Sequence, residues 1–311
     1  MIKDIIYNIN DENFNINRYL LISNKSAKIN CVNGKCFFIK GTDYYTDEKY
    51  KLLYNEGVNN ILYPKVNEKG NFVNKKRINN EELLYYISDY YKDDLMSIEY
   101  KAKHLIDELT NLHLHTRFKK ELTKEKSRKK LEDIYEYLQY KFNLLESFVR
   151  SVECSPFDEN SILILKNYHY LLDCKNIMAK LNKKIIYDVK NNKSIYHSFI
   201  HNNPKIDHLI VNNGKCYLIS LEKSKIGIPS LDIVKYYMEC ESYNIDIKLI
   251  ILNYFENYDD EFYLNYFYFF VLLYYIKGII IYNNNYITSQ SFVYGALKIK
   301  KFIEKFELLS V

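Results

Sequence analysis

The sequence predicts an α+β fold, in which a small mixed sheet forms the N-terminal part and helices form most of the rest. Three observations lead to this prediction. Short apolar runs separated by turn residues fill the first hundred positions, which is typical of antiparallel strands. From Ser97 onwards apolar residues recur every three or four positions, which is typical of helices. A second hairpin pattern, at about 200–222, lies inside this helical part.

The N-terminal strands are predicted from apolar runs at Tyr19–Ser23, Ala27–Val32, Cys36–Lys40 and Leu83–Ile87. The dipeptide Asn33–Gly34 joins the second run to the third and favours a hairpin turn, because both residues tolerate a positive φ. Acidic residues at the start of 47–55, with Gly57 just after it, predict a helix there. The polar stretches Asn74–Asn80 and Asn191–Lys193 are expected to be mobile.

The helical part begins with a periodic set of apolar residues, namely Ile98, Leu105, Ile106, Leu109, Leu112 and Leu114. Further helices are predicted over 131–152, 161–190, 230–241, 260–277 and 289–307, with a strand or a helix near 247–252. Ile279–Tyr282 is predicted to be a short strand. The embedded hairpin consists of Ile206–Val211 and Lys215–Leu221, joined by a turn at Asn212–Gly214. The change of pattern places a domain boundary near residue 90.

Composition excludes several classes of protein. The chain has 311 residues, of which 48% are hydrophobic and 27% charged, and this ordinary usage excludes global disorder. A net charge of +5 is too small to indicate nucleic-acid binding, so no nucleic-acid partner is expected. The six cysteines are scattered and are interpreted as free thiols of a cytoplasmic protein. The apolar stretch 262–282 is interrupted by Asn265 and Lys277 and is rich in tyrosine, which favours a buried helix over a membrane span.

Glycine is scarce, and its spacing excludes the common phosphate-binding loops. Only 8 of the 311 residues are glycine, and no two of them are closer than seven positions. A dinucleotide-binding fingerprint and a Walker loop both need glycines closer together than this. The same spacing excludes the glycine-rich loop of protein kinases.

Two segments resemble the catalytic motifs of a phosphotransferase family. Residues 200–210 read I-H-N-N-P-K-I-D-H-L-I, and residues 216–233 read C-Y-L-I-S-L-E-K-S-K-I-G-I-P-S-L-D-I. The chain here resembles the aminoglycoside/choline-kinase-like phosphotransferases, and most of all their spore-coat, CotS-type branch in spore-forming Firmicutes. That family has H-G-D-x-x-x-x-N-x-L, an apolar strand ending in I-D-F/W, and then G-x-P-x-x-D-L, at the same spacing. The likeness extends weakly over nearly the whole chain, including Glu153–Tyr168. It implies a protein-kinase-like, two-lobed fold, with a small mixed-sheet N-lobe over 1–90 and a large helical C-lobe over 91–311.

The chemical groups of the family motif are replaced at three positions. His201 matches the motif histidine, but Asn203 takes the place of the aspartate that the resemblance implies would accept the hydroxyl proton. His208 takes the place of the asparagine that holds magnesium, and Ser220 takes the place of the metal-binding aspartate. An amide has no useful proton affinity at neutral pH, and a hydroxyl is a poorer magnesium ligand than a carboxylate. No catalytic residue is therefore assigned, and the replaced positions predict a pseudokinase.

Two residues of the N-terminal part are candidates for nucleotide contact by the same resemblance. Lys40 ends the strand C-F-F-I-K and matches the nucleotide-contacting lysine of the small lobe. Glu48, in the first turn of the next helix, is the candidate ion-pair partner of Lys40. Each also has an ordinary structural explanation, since lysine is common on strand edges and acidic residues are common at helix starts.

An alternative interpretation keeps an active site. Asp207 lies beside the lost asparagine position, and Glu222 lies two residues after Ser220, hence on the same face if the strand continues. With His208 they form a possible non-standard metal site, because imidazole and carboxylate together suit transition metals. The chain would then be a divergent ATP-dependent small-molecule phosphotransferase that uses ATP and magnesium or another metal.

The sequence-based expectation is a pseudokinase with a binding or structural, spore-coat-associated role and no resident cofactor. Its partners are expected to be proteins of a coat or scaffold assembly, and its location the cytoplasm or the spore coat, as the resemblance implies. Whether the chain is an enzyme is left open between this hypothesis and the divergent phosphotransferase. A third hypothesis treats the likeness as accidental and the chain as an unrelated helical protein.

Overall fold

The computed structural model describes residues 2–10, 14–78, 80–122, 124–156, 158–191, 193–282 and 285–310. By its internal contacts the chain divides into two compact units. The first unit contains residues 1–117 and 198–227, and the second contains residues 118–197 and 228–311. The predicted boundary near residue 90 separates an N-lobe from a C-lobe. It does not coincide with a boundary between these two contact-based units, and it stays a prediction.

The described elements confirm the predicted α+β class. The helices, in chain order, are α1 (Ile2–Asn10), α2 (Thr46–Asn55), α3 (Ile98–His115), α4 (Lys124–Glu153), α5 (Glu159–Lys190), α6 (Ser230–Ser242), α7 (Lys248–Phe255), α8 (Glu261–Gly278) and α9 (Asn285–Lys305). The strands, in chain order, are β1 (Ile16–Ser23), β2 (Ser26–Cys31), β3 (Cys36–Gly41), β4 (Asn74–Ile78), β5 (Glu81–Asp89), β6 (Phe118–Glu121), β7 (Ser194–Ile200), β8 (Leu209–Asn212), β9 (Lys215–Leu218) and β10 (Lys225–Gly227).

The first unit is built on an antiparallel sheet with the strand order β1-β2-β3-β5-β4. The predicted hairpin between β2 and β3 is confirmed, with Asn30 paired to Cys36. Its connection, residues 32–35, is longer than a two-residue turn. Gly34 lies there at a φ of +79°, a value that glycine adopts without a steric cost.

The helix α1 covers one face of this sheet. Its isoleucines recur at the helical spacing of three and four residues, so they share one face. They are Ile2, Ile5, Ile6 and Ile9, and all are buried. The same core contains Ala27 and Ile29 of β2, Ile39 of β3 and Ile87 of β5. Burial of each such side chain contributes roughly 1.5–3 kcal/mol, and this stabilises a helix that the sequence analysis did not predict.

Two details of local structure differ from the sequence-based predictions. Residues Asn74–Ile78, where no strand was predicted, form β4, because backbone pairing with β5 stabilises this polar edge strand. The expected mobility of Asn74–Asn80 and Asn191–Lys193 stays a prediction, and Asn79 and Asn192 lie outside the described residues. Residues Ile279–Tyr282, predicted as a strand, are irregular. The side chain of Ile279 is buried there, and its carbonyl accepts a hydrogen bond of 2.5 Å from Lys141.

The embedded hairpin of the first unit is confirmed, but it is shorter than predicted. β8 and β9 pair from Leu209 with Leu218 to Asn212 with Lys215, and the turn holds Asn213 and Gly214 at positive φ. The second strand ends at Leu218 and not at Leu221. Leu218 also bridges Ile61 in parallel, so the hairpin is fastened to the loop after α2.

The second unit is mainly helical. The long helix α5 packs against α4, α8 and α9, and aromatic rings of α6, α8 and α9 meet around Phe267 and Phe302. The helix α8 begins after Asp260, whose side chain accepts a hydrogen bond from the Phe262 N–H, and it accounts for the apolar stretch noted in the sequence. In the part of the chain that the structure describes, no helix is long and apolar enough to cross a membrane. The six cysteines are free thiols.

Candidate functional site

The first half of the site is a pair of facing residues on β3 and β5. Side chains alternate along β3, so Phe37 and Ile39 enter the core beneath α1 while Lys40 lies on the opposite face. Lys40 is paired in register with Tyr86 of β5, and their side chains share that face. Tyr86 is buried.

Helix α2 adds a second buried tyrosine behind this pair. The ring of Tyr50 lies 5.8 Å from the ring of Tyr86 in an edge-to-face arrangement. Burial raises the pKa of both hydroxyls above the ordinary value for tyrosine. Both therefore keep their protons at neutral pH and act as hydrogen-bond donors.

The second half of the site lies where the chain leaves the embedded hairpin. Ser220 has a φ of +64°, in the left-handed region that few residues other than glycine adopt. Ser220 follows the hairpin strand, which ends at Leu218, and leads directly into a 3₁₀ turn over Leu221–Lys223. Leu221 is fully buried and anchors the turn, and Glu222 follows it directly.

Glu222 brings the two halves together. Its Oε1 lies 2.8 Å from Lys40 Nζ and accepts a hydrogen bond of 3.0 Å from the Tyr86 hydroxyl. Lys40 Nζ also donates to Ser220 Oγ at 3.2 Å, and Lys49 Nζ donates to the backbone carbonyl of Glu222. The side chains of Lys40 and Glu222 are each only 20% exposed. The ion pair is thus largely shielded from water.

The charges of Lys40 and Glu222 balance each other. Burial alone raises the pKa of the Glu222 carboxyl, but the charge of Lys40 and the hydrogen bonds from Lys40 and Tyr86 outweigh it, so the pKa lies below its ordinary value. Glu222 is therefore ionised at neutral pH and neutralises Lys40. Lys40 and Glu222 are consequently a closed ion pair, and Lys49, which donates to the backbone carbonyl of Glu222, adds one further positive charge beside it.

Two stacked histidines lie in the same unit. The rings of His201 and His208 are 5.5 Å apart and nearly parallel. His201 is fully buried, and its Nε2 is 2.8 Å from the carbonyl oxygen of Ile219. His208 Nδ1 is 2.8 Å from the carbonyl oxygen of Asn203. Each histidine is therefore bonded to the backbone of the motif segments.

The hydrogen bonds fix the protonation of both rings. The Asn203 N–H donates to His201 Nδ1 at 3.3 Å, so His201 carries its proton on Nε2. Burial lowers the pKa of His208 to about 4, so its ring is neutral at pH 7 and donates through Nδ1. Through its backbone N–H and C=O, Asn203 holds the histidine pair together.

Two of the predicted site residues, Glu48 and Asp207, lie outside the Lys40–Glu222 cluster. Glu48 is exposed on α2, and the ion pair of Lys40 is with Glu222 instead of the candidate partner Glu48. Asp207 is exposed in the 3₁₀ turn that precedes β8. Glu222 lies in a 3₁₀ turn because the strand ends at Leu218, so the proposed continuation of the strand is wrong.

Sequence analysis missed the role of Tyr86 and the destination of Glu222. Tyr86 lies in a run that was predicted correctly as a strand, but no motif marks it. Its only signal is its position opposite Lys40, which becomes visible once the register of β3 and β5 is known. Glu222 was identified as a metal-ligand candidate, whereas the structure pairs its carboxylate with Lys40.

Comparison with known proteins shows the fold. No protein-family model and no curated protein sequence matches the chain. Among solved structures, the chain is similar to an aminoglycoside phosphotransferase from Alicyclobacillus acidocaldarius, at 10% identity and a TM-score of 0.59, covering 97% of this chain and 95% of that one. It is also similar to a thermostable mutant of the aminoglycoside phosphotransferase APH(4)-Ia in its apo form, at 9% identity and a TM-score of 0.52, covering 98% of both chains.

A third similar structure is an aminoglycoside 2'-phosphotransferase mutant in complex with GDP, at 13% identity and a TM-score of 0.50, covering 97% of this chain and 95% of that one. Identities this low show the fold and not the activity. The chain therefore has the kinase-like fold of the aminoglycoside phosphotransferases, as the resemblance implied.

This fold implies ATP and magnesium, but the residues at the matching positions do not fit a magnesium ion. Magnesium takes oxygen ligands, usually carboxylates and substrate phosphates. Asn203 and Ser220 supply no carboxylate, and His208 supplies a nitrogen. The carboxylate nearest to Lys40 is that of Glu222, which Lys40 and Tyr86 already occupy. Among the described residues no group of three or more His, Cys, Asp or Glu side chains could hold a metal ion.

Proposed function

We propose that the chain is a pseudokinase of the aminoglycoside/choline-kinase-like superfamily, which acts by binding a partner and not by transferring phosphate. One observation carries this proposal: the carboxylate of Glu222 lies 2.8 Å from Lys40, the lysine that the resemblance assigns to nucleotide phosphates. Lys40 has three N–H donors and gives two of them to Glu222 and Ser220, so a phosphate would have to share Lys40 with a carboxylate that already neutralises its charge. A second donor, Tyr86, holds this carboxylate in place.

The chemistry of the three replaced positions supports the same proposal. Catalysis of phosphoryl transfer consists mainly of positioning and of stabilising charge, so it depends on the groups that hold the metal and the nucleophile. The side chain of Asn203 is not a base. His208 has a pKa of about 4, so at neutral pH it is a weak proton acceptor. The Ser220 hydroxyl accepts a hydrogen bond from Lys40.

The competing function is a divergent ATP-dependent phosphotransferase that uses Asp207, His208 and Glu222 around a metal. It makes the opposite prediction about ligand binding. A pseudokinase of this kind needs no resident nucleotide or metal, whereas a phosphotransferase must bind ATP together with a metal. A ligand that binds only the native state raises the melting temperature, so a thermal-shift titration distinguishes the two.

The experiment titrates ATP against the full chain, with magnesium, with manganese and with EDTA. The pseudokinase predicts no stabilisation that requires ATP and metal together. A metal-dependent shift that is lost in Asp207→Asn and retained in Glu48→Gln, an exposed carboxylate outside the cluster, would contradict the pseudokinase proposal and favour the divergent phosphotransferase. Both variants replace exposed side chains, so both should fold. Their melting temperatures without ligand check this.

The more specific part of the proposal concerns location and partner. The motif spacing and the stretch Glu153–Tyr168 resemble the spore-coat branch. This supports a structural role, in which the chain is made in the cytoplasm and then binds proteins of the spore coat. A tagged chain, produced in a sporulating host, should be recovered with the spore-coat extract and not with the soluble fraction. Recovery only in the soluble fraction of sporulating cells would contradict the coat role and leave the pseudokinase proposal intact.

A further inference from the structure

The two edges of the five-stranded sheet differ in chemistry. β4, at one edge, carries Lys75, Lys76 and Arg77 within five residues. β1, at the other edge, reads I-N-R-Y-L-L-I-S and contains neither lysine nor an acidic residue. Unpaired N–H and C=O groups along the edge of a sheet can pair with another strand. Natural sheets block this pairing with charged side chains, especially lysine. The edge at β4 carries three such charges, whereas the edge at β1 carries only Arg18, and its register shifts lie at the two ends of the strand.

The side chains of β1 are also exposed to an unusual degree. Every residue of the strand after Ile16 is exposed. The apolar run at its centre includes Leu20 at 64% and Ile22 at 55% exposure. Single exposed apolar residues are normal on a protein surface, but a contiguous exposed run marks a site of interaction. The partner must offer an extended backbone, because only a strand satisfies the donors and acceptors of a sheet edge.

We infer that β1 is an interaction surface and that its partner is β1 of a second copy of this chain. The two strands pair antiparallel about a two-fold axis perpendicular to the sheet, which joins the two five-stranded sheets into one. Such an interface is self-complementary and closes, so it produces a dimer and not a filament.

The other described edge strands of the chain do not suit β1. Pairing with β4 would place a basic strand against an apolar one. This contact joins two different surfaces head to tail, so the two copies would not form a closed dimer. β6 carries Lys119 and Lys120 among four residues, and β10 has only three residues. β8 and β9 form a two-stranded sheet, but the outer side of β8 is hydrogen-bonded to Asp93 and Asp94, and the outer side of β9 is hydrogen-bonded to Asn60 and Leu62. Among the strands that the structure describes, β1 is therefore the apolar edge that another copy can supply.

The charges and register of β1 allow the self-pairing. A two-fold axis perpendicular to the sheet pairs residues that point to the same face, so it passes through Leu20 or Leu21 at the centre of the apolar run. The two copies of Arg18 then lie at least about 14 Å apart, at about 3.4 Å per residue. Screening at physiological ionic strength acts over about 8 Å, so their repulsion is weak.

The strand also limits the strength of the pairing. Register shifts between Ile16 and Arg18, and between Leu21 and Ser23, interrupt the regular ladder at both ends. The regular part is short, so the dimer should dissociate on dilution. Sedimentation velocity of the full chain from about 1 to 100 µM should therefore show a dimer fraction that grows with concentration, as mass action requires.

The decisive variant is Leu20→Lys, which places a charge at the centre of the exposed edge. It should sediment as a monomer across the whole concentration range, while its melting temperature stays near that of the wild type because the side chain is exposed. The matched control is Ile162→Lys on α5, which replaces another exposed apolar side chain and should dimerise as the wild type does. A wild-type chain that is monomeric throughout would mean that the edge has a different strand partner, and a dimer that survives in Leu20→Lys would place the contact elsewhere. Either result overturns the proposal.

A cross-linking experiment tests the register directly. Leu20→Cys and Leu21→Cys are made separately in a Cys154→Ser background, because Cys154 is an exposed thiol. The residue on the two-fold axis faces its own copy, so one of the two variants should form a covalent dimer with a short bis-maleimide. Val66→Cys, at an exposed position away from β1, should not. Equal cross-linking at Val66, or cross-linking at neither β1 position, overturns the proposal.

Discussion

Lys40 and Tyr86 stand opposite each other on β3 and β5, and both contact the same oxygen of Glu222. The cation and the hydroxyl together fix a carboxylate that comes from a distant part of the sequence. This arrangement determines how the region responds to substitution, because each of the three groups satisfies another. Removing one leaves a partner shielded from water without its counterpart, which costs more free energy than the interaction itself contributes.

The first prediction concerns the ion pair. Glu222→Gln should lower the free energy of unfolding by about 1–3 kcal/mol, because it leaves the Lys40 ammonium mostly buried without a counter-charge. Urea unfolding measures this change. The control is Glu82→Gln, whose carboxylate lies 3.6 Å from Lys75 with both side chains about half exposed, and which should cost no more than about 0.5 kcal/mol.

A double-mutant cycle then separates the pair from its surroundings. The combined Lys40→Met and Glu222→Gln variant should be less destabilised than the sum of the two single variants, because it removes both charges. Additive effects, within about 0.3 kcal/mol, would show that the two side chains do not interact in solution.

The second prediction concerns acid stability. The folded-state pKa of His208 is lowered by burial to about 4, below the model-peptide value of about 6.5. Between these values the unfolded chain binds a proton that the folded chain does not, so stability should fall as the pH decreases from about 6.5 towards 4. Above pH 6.5 this group should have no effect, because His208 is neutral in both states.

Urea unfolding at several pH values between 5 and 7.5 gives the free energy of unfolding as a function of pH. The slope of this free energy against pH should be smaller for His208→Phe than for the wild type. The substitution keeps a ring beside His201 and removes the titrating group. The test compares slopes, so a change in overall stability that is the same at every pH does not affect it. Burial also lowers the pKa of His197, so part of the slope should remain. A wild-type slope in His208→Phe would contradict the prediction.

The third prediction concerns the embedded hairpin. On β9, Leu218 is fully buried, whereas its neighbour Tyr217 is half-buried and stacks on Tyr91 with ring centres 5.6 Å apart. Leu218→Asp should prevent folding of the first unit, because an unpaired carboxylate would be buried at a cost of several kcal/mol. Tyr217→Asp should cost only about 1–2 kcal/mol, mostly the lost ring stack. Circular dichroism and urea unfolding compare the two, and equal destabilisation would contradict this burial pattern.

Much of the fold could be predicted from local patterns. The Asn33–Gly34 dipeptide, the helical period after Ser97 and the turn at Asn212–Gly214 each specify a short piece of chain, and the structure has a hairpin, a helix and a hairpin there. The failures are also local. Residues 279–282 read as a strand because isoleucine favours strands, but no neighbouring strand pairs with them among the described residues.

The candidate site was predicted only in part because its central contact is long-range. Motif spacing located Asn203, His208 and Ser220, but Lys40 and Glu222 are separated by about 180 residues, and no periodicity connects them. Ser220, two residues after the end of the strand at Leu218, adopts a positive φ, which serine seldom does. The turn that carries Glu222 to Lys40 therefore could not be predicted from the residues alone.

The last prediction is a restoration of metal-dependent nucleotide binding. The triple substitution Asn203→Asp, His208→Asn and Ser220→Asp supplies two carboxylates and an amide, which are oxygen ligands of the kind that magnesium takes. Aspartate tolerates the left-handed φ of residue 220 better than most residues, so the turn should persist. In this variant Glu222 still neutralises Lys40, so calorimetry should detect little binding of ATP with magnesium.

Adding Glu222→Gln should expose Lys40 to the phosphates, and the quadruple variant should then bind ATP only when magnesium is present. Turnover should stay absent, because the β1–β2 turn at Asn24–Lys25 has no glycine to let its backbone approach a phosphate. The triple variant is the matched control, since the two proteins differ only at Glu222. Equal ATP binding by both would show that Glu222 does not block the site. If the quadruple variant folds but binds no ATP in the presence of magnesium, the pairing of Lys40 with Glu222 is not the reason that the triple variant binds little nucleotide.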